Sequence, residues 1–221
     1  MIAFLLSFGR VSMKRIRKTL KIKEIMIKYV KNNYKEYILI SVIFIIGLFI
    51  GVMFVNNLNQ DKANIISNYI MQFINNFKQN NQIDKSELFI SSVKNNLFLT
   101  IGLWIAGTTV IGMPVVLGLI LYRGFCLGTT ISSISMAFGI KNGVRFCFLA
   151  LFLQNIFFIP AIITIGVSSL KLYKSIIADR RKENIKIQII SHTIISLLML
   201  LILIFSSFLE NEVSIWLLKL F

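Results

Sequence analysis

Residues 95–140 read NNLFLTIGLWIAGTTVIGMPVVLGLILYRGFCLGTTISSISMAFGI, and Arg123 is the one charge in the stretch. A helix needs about 20 mostly apolar residues to cross the hydrocarbon core of a bilayer. The stretch is too long for one helix and has to fold back once. Three more uncharged runs lie around it, at 37–55, 146–170 and 187–209. Together they predict an all-α, polytopic integral membrane protein with five transmembrane helices.

Composition points the same way. The chain has 221 residues, of which 56% are apolar and 15% charged, and its mean hydropathy is +0.78. An ordinary soluble domain is about 45–50% apolar and about 25% charged. The interior of one soluble domain could not hide so much apolar surface from water. Disorder and collagen-like repeats are excluded on the same ground, and two cysteines exclude a disulfide scaffold.

The fold-back has two candidate positions. Proline breaks the hydrogen-bond ladder of a helix, so Met113-Pro114 is favoured over Arg123. The second and third spans are then 97–112 and 115–138. Arg123 falls eight residues into the third span, about 12 Å deep. That is near mid-depth, where a bare guanidinium is costly.

Orientation follows from Lys and Arg. Residues 1–36 hold ten basic and two acidic residues, and 171–186 hold six and two. Residues 56–96 hold four and three. Basic residues collect on the cytoplasmic side of spans. The N-terminal segment and the 171–186 loop are therefore expected in the cytoplasm. The 56–96 loop and the short tail 210–221, with the C-terminus, are expected outside. The net charge of +15 belongs to these flanks. They carry no reader motif for nucleic acid, so no such partner is expected. Tyr34, Tyr37 and Tyr173 fall at the inner interface and Trp216 near the outer one, as an aromatic belt. Trp104 sits inside the second span, where a helix–helix contact accounts for it.

The apolar start, residues 1–9, precedes the basic residues. A secretory signal has the reverse order, so that reading is rejected, and Met13 stands as an alternative start. Ile16, Leu20, Ile27, Val30 and Tyr34 recur at helical spacing among Lys14, Lys18, Lys21, Lys28 and Lys35. They predict either an amphipathic helix held along the inner leaflet by anionic lipids or a plain topology signal. In the outer loop, Ile65, Ile66, Tyr69, Ile70, Phe73, Ile74 and Phe77 form a helical stripe, with Asn64 placed to cap it. Asp84 and Glu87 have the spacing of a capping box for a second helix entering the second span. The stripe buries itself on the membrane or the other spans, or a partner covers it. For a partner, the candidate contacts are Ile66, Tyr69, Phe73 and Phe77. Forty-one residues are too few for a catalytic domain of ordinary size.

Chemistry is sparse. The single histidine, His192, suits a buried hydrogen bond better than a metal. Cys126 and Cys147 lie in different spans and read as packing residues. No uncharged run holds Asp or Glu, which argues against paired-carboxylate catalysis. A GxxxxGK[ST] phosphate loop is missing. No enzyme activity, cofactor or metal is expected. Gly47 with Gly51, and Gly124 with Gly128, form GxxxG pairs that let helices approach closely, within the chain or in a homo-oligomer. Gln154, Asn155 and Pro160 mark an irregular, polar point in the fourth span. A partner for Arg123 has to be Gln154, Asn155, a hydroxyl, a backbone carbonyl or another chain.

The order of features resembles the stage II sporulation protein M family. The features are the basic N-terminus, the outer loop after the first span, and a Gly-rich second span. Then come Tyr122-Arg123-Gly124-Phe125 with Gly128, and Gln154-Asn155-Ile156-Phe157-Phe158-Ile159-Pro160-Ala161. The resemblance covers the chain from about residue 30. The family pattern carries an acidic residue where this chain has Phe158, and often His-Gly in place of Gln154-Asn155. The resemblance implies a non-enzymatic scaffold required for engulfment during endospore formation. Such a protein sits in the mother-cell septal or engulfing membrane. It assembles with two peptidoglycan hydrolases, stage II sporulation proteins D and P, and holds them there. A second expectation comes from the residues themselves: a transporter component paired with a separate ATPase, its pathway lined by Arg123, Gln154 and Asn155.

Overall fold

The computed structural model describes residues 27–79, 85–109, 111–178 and 185–220. Most of the expected N-terminal amphipathic helix, the alternative start at Met13 and the Asp84 cap lie outside the described residues. Among the described residues there is no strand. A short helical stretch over 27–32 leads into six helices. They are α1 (Tyr34–Asn56), α2 (Gln60–Gln79), α3 (Lys85–Thr108), α4 (Met113–Phe138), α5 (Ile140–Ala178) and α6 (Ile185–Leu220). Five of them are long and apolar enough to cross a membrane, over Tyr34–Asn56, Phe89–Thr108, Met113–Phe138, Gln154–Ile177 and Ile185–Leu209. In a bilayer every backbone N–H and C=O must be satisfied within the chain, which a continuous helix does by itself.

Local chemistry sets the breaks. Between α3 and α4, the Gly112 N–H donates to Thr109 Oγ1 at 3.0 Å. A Cβ at Gly112 would collide with the Ala106 carbonyl oxygen, so the turn closes only around glycine. Pro114 falls in the first turn of α4, where its missing N–H has no helical partner to lose. Arg123 lies well inside α4. Between α4 and α5 the chain turns at Gly139, whose φ of +79° is open to glycine and strained for other residues.

One expectation about regularity is corrected. Pro160 does not interrupt its span: α5 runs through it. The ring removes one N–H from the ladder. Around it Phe158, Ala161, Ile162 and Ile165 are nearly fully buried against the neighbouring helices, and that packing outweighs the lost bond. Beyond the fifth span, α6 continues as a helix to Leu220. No Gly or Pro lies between 185 and 220 to stop the helix.

The C-terminal half of α5 is the centre of the bundle, with α1, α3, α4 and α6 packed around it. Its buried residues join Ile40 and Phe44 of α1, Leu103 of α3, Val116 and Ile120 of α4, and Leu203 of α6 in one core. Small residues make this possible. Gly166 faces Ile40 and Ile120, and Gly107 faces Ser169 and His192.

The closest approach is between α1 and α4. A methyl at Gly47 would strike the Leu121 carbonyl oxygen, and one at Gly51 that of Phe125. From the other side, Gly124 and Gly128 would strike the carbonyls of Phe44 and Leu48. The two GxxxG pairs thus interlock with each other inside one chain, and the Gly124/Gly128 face is filled by α1.

Contacts fix the relative directions. Phe44 beside Gly124 and Leu48 beside Gly128 make α1 and α4 parallel. Tyr37 hydrogen-bonds Thr164 at 3.2 Å and Glu36 pairs with Lys174 at 2.6 Å, so α5 runs against α1. Ser206 bonds the Gln154 carbonyl near one end and His192 bonds Ser168 near the other, so α6 opposes α5. Ser92 bonds Ser207 and Trp104 bonds Thr193, so α3 opposes α6. The five span helices therefore alternate in direction, as successive crossings require.

Candidate functional site

Arg123 comes from the middle of α4 and Gln154, Asn155 and Phe158 from one and a half turns of α5. Residues three and four apart share a helix face, so the 154, 155 and 158 side chains converge on one region. With Phe44 of α1, Leu127 and Thr130 of α4, and Leu151 of α5, they line a cavity of about 210 Å³. Gln154 and Phe158 are deeply buried, at 8% and 2% exposure, while Thr130 is exposed on the bundle surface. The guanidinium lies over the Phe158 ring, 4.3 Å from its centroid. A cation over an aromatic face gains about 2 kcal/mol where water is excluded. The ring thus stands directly beside the cation.

Neighbouring polar groups are already engaged. Asn155 Nδ2 donates to the Leu151 carbonyl at 2.8 Å, and Ser206 Oγ donates to the Gln154 carbonyl at 3.0 Å. Thr130 Oγ1 donates to the Cys126 carbonyl. The cavity is thus lined by a cation with contacts of its own, by the amide-bearing Gln154 and Asn155, and by an aliphatic and aromatic wall. Such a site can hold an anionic oxygen group.

The sequence candidates fall in four places. Arg123, Gln154 and Asn155 meet at the cavity. Gly124 and Gly128 lie on another face of α4, against α1. Pro160 lies beyond the lining on α5. In α2, Ile66 is half-buried while Tyr69 is 69% exposed. The backbone of α2 carries Phe73 and Phe77, but their side chains lie outside the described residues, as does that of Trp216.

Away from the cavity, further polar pairs join the helices; of these the sequence singles out His192 as a buried hydrogen-bonding residue, whereas Asn96 and Ser207 went unread. Asn96 of α3, 2% exposed, donates from Nδ2 to Ser207 Oγ at 2.7 Å, and Ser92 Oγ donates to the same oxygen. His192 is 1% exposed, and its Nδ1 lies 3.0 Å from Ser168 Oγ. Ser132 Oγ donates to Asn56 Oδ1 at 2.9 Å. These bonds tie helices together across more than 20 residues of sequence each. Among the described residues, no group of three His, Cys, Asp or Glu is placed to hold a metal.

Comparison with curated proteins and with solved structures finds no match. Comparison with family models finds one, described as stage II sporulation protein M, over residues 40–215. The match starts inside α1 and ends near the end of α6, so it takes in most of the first candidate span, the other four whole, the Arg123 step and the 154–161 segment. A multi-pass helical membrane protein matched over that length, this chain belongs to the stage II sporulation protein M family.

Proposed function

We propose that the protein is a non-enzymatic membrane scaffold for engulfment during endospore formation. In this reading it recruits and holds peptidoglycan hydrolases, stage II sporulation proteins D and P, at the septal or engulfing membrane of the mother cell. The observation that carries the reading is the family match, which reaches every candidate span. The disposition of polar groups supports it: Asn96, Ser207, Trp104 and Thr193 spend hydrogen bonds on neighbouring helices. The N-terminus and the loop after α5 face the cytoplasm, and α2 lies outside, where the hydrolases work. The exposed Tyr69, on the helix that also carries Ile66, Phe73 and Phe77, is the contact offered to them. Anionic lipids hold the basic end of the bundle at the inner leaflet.

The test is a mild-detergent pull-down of the tagged protein from sporulating cells, read by mass spectrometry. Recovery of both hydrolases is the expected result. An ATPase recovered without them overturns the scaffold and favours the second reading, a transporter component. The cavity at Arg123 is the one observation that favours that alternative.

A further inference from the structure

Arg123 lies ten residues from the start of α4 and fifteen from its end, about 15 Å and 22 Å along the axis. It is near mid-membrane whichever way the chain is oriented. A charge there is costly unless paired. Residues 88–178 contain no Asp or Glu, and neither do 37–59 or 184–209. No span of this chain can supply a carboxylate at that depth, and a second copy would bring none. Arg123 has contacts of its own, including the Phe158 ring, yet beside it the bundle leaves a cavity of about 210 Å³. The walls combine the guanidinium and the amide-bearing Gln154 and Asn155 with Phe44, Leu127, Leu151 and Phe158. A hydrated ion would want polar walls on all sides. A short acidic side chain carried on an apolar helix matches both halves of this lining. Thr130, exposed on the bundle surface, lies on the lining and marks the side from which such a helix would approach.

We propose that the Arg123 cavity is an intramembrane docking site for an Asp or Glu side chain on a partner protein's transmembrane helix. The site deepens the scaffold reading and rests on it for its biological partner: a protein anchored by one acid-bearing helix is held within the bilayer as well as outside it. The carboxylate meets the guanidinium and accepts from the amides of the cavity, while its helix packs on α4 and α5.

The probe is a synthetic helix of about 20 apolar residues with one central Asp, against the same helix with Leu at that position. Association with the full-length protein is read by energy transfer in lipid nanodiscs. The Asp helix is expected to bind about tenfold more tightly than the Leu helix, the size of a strong interhelical polar contact. Arg123→Gln removes the preference. Phe158→Glu removes it too, by placing a carboxylate of the chain's own beside Arg123. That variant keeps the cation paired, so it covers the case in which Arg123→Gln fails to fold. Equal binding of the two helices to the natural protein overturns the proposal, as does a preference that survives both substitutions. If the hydrolases are recovered in the pull-down while the Asp preference is missing, the docking site falls and the scaffold stands. If the preference is present while no hydrolase is recovered, the site stands and its assignment to that assembly falls.

Discussion

Gly124 has no room for a methyl, because the Phe44 carbonyl oxygen occupies that space. Backbone cannot swing aside as a flexible side chain can, so Gly124→Ala must push α1 away from α4. We expect a loss of about 1–3 kcal/mol, the usual cost of overpacking, read as a lower thermal midpoint of the purified protein in detergent. Gly118 is the control on the same helix: nothing lies within 4 Å of a Cβ there. Gly118→Ala should keep or raise the midpoint, since alanine is the better helix former by about 1 kcal/mol. Equal loss at both positions would mean that α1 and α4 do not interlock. Gly139 is sensitive for a different reason. A Cβ there meets nothing, yet φ is +79°. Gly139→Ala should cost about 1 kcal/mol through backbone strain alone. Gly139→Asn should bring no recovery in the same measurement, because ψ is 152° and the residue lies outside the left-handed helical region that asparagine tolerates.

Helix pairing has two different sources in this bundle. The α1–α4 pair is held by backbone proximity, whereas α3–α6 is joined by side-chain hydrogen bonds from Ser92 and Asn96 to Ser207 and from Trp104 to Thr193. A double-mutant cycle of Asn96→Leu with Ser207→Ala should give a coupling of about 0.6 kcal/mol, the average for such bonds in membranes. A coupling of zero would show that the two side chains do not meet. The spans themselves were legible in the sequence because bilayer thickness dictates their length and uncharged runs report it directly. The α3–α4 turn was legible because a proline cannot sit mid-helix without cost. Which helix packs on which was not legible. Gly47 and Gly124 each announce close packing, but a GxxxG pair carries no address. Asn96 and Ser207 are 111 residues apart, and serine is common along every span. The cavity was half legible: Arg123, Gln154 and Asn155 stand out as polar residues in apolar runs, whereas Phe44, Leu127 and Leu151 look like any lipid-facing residue. Pro160 misled because its effect depends on the packing around it, which only the folded bundle supplies.

At the scale of the molecule, the alternating directions of the five span helices tie the charge distribution to the ends of the bundle. Glu36 and Lys174 pair at 2.6 Å, which places the start of α1 and the end of α5 at one end. Both basic segments, 1–36 and 171–186, attach there, with net charges of +8 and +4, while 56–96 carries +1 at the other end. The positive-inside tendency acts on such an asymmetry as a whole, so the end carrying Glu36 and Lys174 should face the cytoplasm. Single cysteines placed in a Cys126→Ala, Cys147→Ala background report this directly. Tyr69 of α2 is 69% exposed and Ile177 near the end of α5 is 58% exposed, so both positions are open to reagent without disturbing the core. Tyr69→Cys should react with a membrane-impermeant maleimide on intact protoplasts. Ile177→Cys should react only after the membrane is opened. The opposite pattern would invert the molecule, put α2 in the cytoplasm and remove it as a surface for cell-wall hydrolases. Labelling of both positions from one side would break the alternation of the five helices, and with it the crossing count that the packing of α1, α3, α4, α5 and α6 requires.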